Sequence, residues 1–145
     1  MRAIIFKIAA VAALCSAMLT ACGEKNAEPA VANAHHSDCT MHTDSKGLQN
    51  PDSASISYAN GTLHVTHHNL LVNCGSAKPE SVINVRATVR GNAIDIWEEE
   101  DPDTELERCM CEVDNEFDIT GISQGTYTLT FHNWYPQAQS TTVTL

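Results

Sequence analysis

Imidazole, thiol and thioether side chains crowd into one short stretch, His35-His36-Ser37-Asp38-Cys39-Thr40-Met41-His42. Such a donor set suits copper or zinc, Cu(I) or Zn(II), because soft sulfur and borderline nitrogen ligands match those ions. No ligand spacing in it follows a structural zinc pattern. A second group joins Thr66-His67-His68-Asn69 and Asn73-Cys74 to Cys109-Met110-Cys111. A metal site built there from His67 and cysteine thiolates competes directly with disulfide formation. The third group is acidic: Asp95 to Asp118 holds 12 of the chain's 18 Asp and Glu. Calcium takes such oxygen ligands, but the run lacks the Asp-x-Asp-x-Asp/Asn-Gly order of a calcium loop and reads as a solvated face. Nucleophile elbows, phosphate loops, dinucleotide fingerprints and His-Glu-x-x-His are all missing. The expectation is a protein that is not an enzyme and has no catalytic residues.

What positions these groups begins with an export signal. Arg2 and Lys7 precede an apolar run from Ile8 to Leu19, and Leu19-Thr20-Ala21-Cys22 closes it with small residues before a cysteine. The run is too short for a membrane-spanning helix, which needs roughly 20 residues. The pattern resembles a bacterial lipoprotein signal, which implies cleavage after residue 21 and acylation of Cys22. Several acyl chains hold a protein stably on a bilayer where one does so only marginally. Loss of residues 1–21 removes Arg2 and Lys7 and no acid, leaving six Lys and Arg against 18 Asp and Glu, a formal charge of −12. That balance excludes nucleic acid, which needs clustered basic residues, and leaves cations and basic partners open. With Cys15 removed and Cys22 acylated, four cysteines remain for an oxidising compartment, where two disulfides are the default. A Cys109–Cys111 bridge would be strained across one intervening residue. Cys74 is therefore expected to pair with Cys109 or Cys111, and Cys39 to take the remaining thiol or stay free.

Residues 22–52 hold few sizeable apolar side chains and read as a lipidated flexible tether. The folded part is expected at 53–145, where the apolar period is two and the runs are short. Ile83, Val85, Ala87 and Val89 alternate with Asn84, Arg86, Thr88 and Arg90. Leu63 and Val65, Ile94 and Ile96, Val113, Phe117 and Ile119, and Tyr127, Leu129 and Phe131 repeat the pattern, with His67 and Asn69 continuing the inward face of Leu63. About seven antiparallel strands result, the pattern of a single immunoglobulin-like β-sandwich, with Tyr127 placed as a corner tyrosine.

The blocks His67-His68-Asn69 to Asn73-Cys74, Ile94-x-Ile96-x-Glu98 after Gly91-Asn92, and Cys109-x-Cys111-x-x-Asp114 resemble a family of small uncharacterised bacterial envelope lipoproteins. The resemblance covers residues 60 to 130 and implies an envelope protein without catalytic residues. The reading is thus a monomeric outer-membrane lipoprotein whose sandwich binds an envelope protein or glycan or serves envelope architecture. The alternative is a periplasmic copper or zinc binder using His35, His36, Cys39, Met41 and His42, or His67 with the cysteines.

Overall fold

The computed structural model describes residues 29–43, 53–133 and 139–145. The signal 1–21 and Cys22 lie outside the described residues. Nine strands and no helix are present among them: β1 (Ala30–His36), β2 (Met41–Thr43), β3 (Ser53–Ala59), β4 (Thr62–Asn73), β5 (Ile83–Arg90), β6 (Ala93–Glu100), β7 (Met110–Thr120), β8 (Thr126–His132) and β9 (Gln139–Thr144). They form a two-sheet β-sandwich. One sheet runs β1-β7-β4-β3, with β2 also paired to β7, and the other runs β5-β6-β8-β9. Alternation dictates this packing, because each strand buries the residues of one parity against the facing sheet.

Two expectations need correction. The segment taken as part of a tether forms strands: Val31 lies opposite Ile119, His36 opposite Asn115 and Met41 opposite Glu112 on β7. Its apolar content is low, as the composition indicates. What holds it is backbone pairing to a strand edge, together with the Cys39–Cys111 disulfide. Among the described residues, 53–145 carry seven strands, β3 to β9, as expected, and β1 and β2 add to them from the segment read as tether. Second, β6 and β8 pair in parallel, Ala93 with Thr128 through Trp97 with His132. The chain passes through β7 in the opposite sheet between them, so β8 returns along the direction of β6. The hydroxyl that bonds the corner backbone belongs to Tyr58, which donates to the Ile122 carbonyl at 2.9 Å, and not to Tyr127.

The interior divides into two apolar clusters. Leu63, Val65, Ile94, Ile96, Phe117, Ile119, Ile122, Leu129 and Phe131 make the first, and Leu70, Val72, Cys74, Ala77, Ile83, Cys111 and Val113 the second. On β7 the inward residues are odd-numbered throughout. On β4 they are odd up to His67 and even from Leu70, because a bulge sets two β4 residues (His68 and Asn69) against one on β7 (Asp114). Asn69 takes the left-handed turn this requires, with φ of 59°, a conformation asparagine tolerates better than most residues. Its backbone N–H donates to Asp114 Oδ1 at 3.2 Å. The bulge thus overturns the expectation that Asn69 continues the inward face, and it keeps Leu70, Val72 and Cys74 inside. All four cysteines are paired, Cys74 with Cys109 and Cys39 with Cys111.

Deleting Asn69 should remove the extra residue and return β4 to simple alternation with Leu70, Val72 and Cys74 still inward, whereas deleting His68 and Asn69 together should turn all three outward. Peptide mapping without reduction is expected to show the Cys74–Cys109 bridge lost or scrambled in the double deletion and retained in the single deletion and in Asn69→Gly, which keeps the turn.

Candidate functional site

Strand β6 outruns β8. Trp97 is the last residue of β6 paired to β8, so Glu98, Glu99 and Glu100 continue past the end of that pairing. Side chains of both parities therefore border one cleft of about 600 Å³, with Asn73, Trp97, Asp101, Leu106 and His132 also on its wall. Leu106 is 70% exposed there. The cleft is acidic on one side and aromatic on the other.

Asn73 shapes the acidic wall. Its Nδ2 donates to the carbonyls of Glu107 at 2.8 Å and Cys109 at 3.3 Å, and its Oδ1 accepts from the N–H groups of Gly75 at 2.9 Å and Glu107 at 2.8 Å. Its own N–H donates to the Glu100 carboxylate at 3.1 and 3.2 Å, which also accepts from the Ser76 hydroxyl. One amide thereby ties the end of β4 to the loop that carries Asp101, Asp103, Glu105 and Glu107. The Cys74–Cys109 disulfide fastens the same junction covalently. At Gly75 an added Cβ would lie 2.0 Å from the Glu105 carbonyl oxygen, so the two backbones touch there and only glycine fits. Lys78 pairs with Glu107 at 2.7 Å. The hydrogen bond that the ammonium donates to that carboxylate raises the lysine pKa.

On the outer face of the four-stranded sheet, Arg86, Trp97 and His132 stand in a row across β5, β6 and β8. The guanidinium lies 4.1 Å from the indole centroid and the imidazole stacks at 4.9 Å. His132 Nε2 bonds Asp95 Oδ1 at 2.9 Å, and Arg90 donates to Oδ2 at 3.2 Å. The His132 bond is the main influence holding the Asp95 carboxyl below the usual aspartate range; partial burial opposes it and Arg90 assists.

Beneath the cleft, between the two apolar clusters, lies a buried polar layer. Glu98 accepts from Asn115 Nδ2 at 2.8 Å and shares a short hydrogen bond with His67 Nδ1, whose ring sits 4.7 Å from Phe131. His67, Glu98 and Asn115 are each at least 97% buried. Such groups are tolerated in a core when they are hydrogen-bonded; here Asn115 Oδ1 is buried without a hydrogen-bond partner among the described residues.

The structure does not gather the residues proposed as metal ligands. Cys39 and the other three cysteines are in disulfides and offer no thiolate. His35 Nδ1 meets the Asn33 carbonyl, and His36 meets the carbonyls of Ser37 and Ser81. His67 lies in the interior against Glu98. Met41 and His42 belong to β2, and their side chains lie outside the described residues. Among the described residues, no cluster of three or more His, Cys, Asp or Glu side chains is arranged to hold a metal ion. Sequence reasoning placed His67 inward and assigned the asparagines to loop backbone, which Asn73 fulfils. It missed the partner of His67, because nothing in the sequence distinguishes Glu98, which is buried, from its neighbour Glu99, which is exposed.

No family model, curated protein or solved structure matches the chain. The functional reading rests on the site's own chemistry. Carboxylates around a partly apolar cleft favour a ligand that brings positive charge and hydrogen-bond donors.

The lowered pKa of Asp95 means that its charged form stabilises the fold above the ordinary aspartate range, and that this contribution disappears as pH falls through the lowered value. Asp118 behaves alike, held down chiefly by the 2.6 Å bond from Asn33 Nδ2 and further by His64. Chemical denaturation should show Asp95→Asn and Asp118→Asn less stable than the parent at pH 7. The gap is expected to close as pH falls below the ordinary aspartate value of about 4, where the parent carboxyls take up protons.

Proposed function

We infer that this chain is a lipid-anchored bacterial envelope protein whose β-sandwich is a non-enzymatic binding domain, and that its acidic cleft receives a basic group of an envelope protein. The observation that carries the compartment is the complete pairing of Cys39, Cys74, Cys109 and Cys111, which accords with an oxidising environment and with the signal that ends at Cys22. Preorganisation supports the binding role. Asn73, the Cys74–Cys109 bridge and the Gly75 contact hold the acidic wall in place, so little ordering entropy is lost on contact with a ligand. A basic protein side chain fits this site better than a sugar ring. Sugars stack on a free aromatic face, and Trp97 is flanked by Arg86 on one neighbouring strand and His132 on the other. Glu99 and Asp101 offer carboxylates at the rim without a role in the core.

Two measurements test the reading. Intact mass of the protein purified from its native envelope is expected to show acyl chains on Cys22 and no alkylatable thiol; an unmodified Cys22 or free thiols in the mature chain would refute the assignment. Calorimetric titration with a lysine-rich peptide should give a salt-sensitive complex that Glu99→Gln combined with Asp101→Asn weakens about tenfold, a change of about 1.4 kcal/mol. Equal affinity in the parent and the double variant would remove the cleft from consideration.

A further inference from the structure

The segment from Ala30 to Thr43 is attached to the sandwich differently from every other strand. Of the seven residues of β1, only Val31 packs against the first apolar cluster, and Cys39 alone of the linking residues packs against the second. Neither cluster's buried members include a residue from this segment. Its strand pairing is to one edge of β7, and it is interrupted by a bulge between Ala32 and His35 where Asn33 has φ of 54°. Further hydrogen bonds are Ser37 N–H to Asp114 O at 2.8 Å, the Thr40 N–H and hydroxyl to Glu112 O at 2.9 and 2.8 Å, Asp114 N–H to the Ser37 hydroxyl at 3.0 Å, the Thr120 hydroxyl to Ala30 O at 3.2 Å, and His36 Nε2 with the Ser81 carbonyl at 3.0 Å. On the outer face Asn33 donates to Asp118, and His35 stands 3.6 Å from Glu116 with both side chains more than half exposed. Exposed pairs of that kind contribute little. The remaining covalent tie is Cys39–Cys111, which spans 72 residues of sequence.

From this we propose that β1 and β2 form a detachable strap, caught by the Cys39–Cys111 disulfide, which stores tether length between the lipid and the sandwich. With the strap closed, the sandwich is joined to Cys22 by the residues up to Ala30, which reach at most roughly 30 Å. With it open, the join moves to Ser53 and the reach rises to at most roughly 100 Å. The sandwich keeps both apolar clusters in either state, because β7 remains paired to β4 from Thr120 to Met110. Opening by a dithiol is a balanced exchange. One reductant thiolate attacks the bridge to form a mixed disulfide, and its second thiol closes the reductant's own disulfide. Two electrons and two protons pass to Cys39 and Cys111, which are left as thiols. The change in reach rests on the lipid-anchored reading of Cys22; the opening of the strap does not.

Hydrogen–deuterium exchange on the full mature chain tests the strap, using Cys39→Ser with Cys111→Ser and confirming by mass that Cys74–Cys109 is intact. Residues 30–43 are expected to exchange at least tenfold faster than in the parent while β4, β6 and β8 keep their protection. Should that variant fail to fold, the parent treated with limiting dithiothreitol gives the same comparison in molecules that retain Cys74–Cys109. Joint loss of protection in the strap and the sandwich, or unchanged protection of the strap, would overturn the proposal. For reach, energy transfer from the protein's tryptophans to an acceptor lipid in vesicles carrying the acylated chain should fall at least twofold on opening. Unchanged transfer in a chain whose mass shows acylated Cys22 would overturn the stored-length claim. A chain without acyl groups whose strap still opens would instead overturn the anchor reading and leave the strap standing.

Discussion

Strand β7 carries inward side chains to both apolar clusters on a single unbroken alternation, from Cys111 through Val113, Asn115 and Phe117 to Ile119, and each strand laid beside it must match that phase. Strand β4 cannot do so over its whole length, since its apolar residues change from odd to even numbers. The bulge at His67 to Leu70 resolves the mismatch at the cost of one left-handed residue. Without it the second cluster would lose Leu70, Val72 and Cys74, and the Cys74–Cys109 bridge would have no geometry in which to form.

The polar layer sits where the phase changes. His67 is the last β4 residue before the bulge, Asn115 is its partner on β7, and Glu98 faces both from the other sheet. A buried His–Glu pair is a weak source of net stability, because desolvation offsets much of the attraction. Its effect is on register. A two-residue slip of β4 would place His67 beside Val113 or Phe117 and leave Glu98 buried with one partner fewer, an outcome that costs far more than an apolar mismatch. The same layer separates the two clusters, so one part of the interior is governed by strand pairing and the other by disulfides.

The sequence made the inward residues of β5 and β7 legible because their alternation is clean, and spacing and compartment narrowed the partner of Cys74 to Cys109 or Cys111. Strand β1 was not legible. Ala30-Val31-Ala32-Asn33-Ala34-His35-His36 has one sizeable apolar residue, and backbone pairing to an edge leaves no mark on side-chain composition. The parallel β6 and β8 pair is likewise a property of the path between sheets. Of the site, Asn73 was foreseen as a residue that bonds loop backbone, whereas the partnership of Glu98 with His67 depends on a contact between strands 31 residues apart in the chain. The tight spacing of His35, His36 and Cys39 suggested a common ligand set. The structure sends His36 to the Ser81 carbonyl and Cys39 into a disulfide.

The contact at Gly75 separates two properties of the acidic wall. Its contour is fixed where main chain meets main chain, at the Glu105 carbonyl and through the Asn73 amide. The charge at Glu99 projects from that contour beside Arg86 without shaping it. A substitution there can therefore retune which ligand the cleft selects while the surface presenting it stays the same, much as type is changed in a fixed frame.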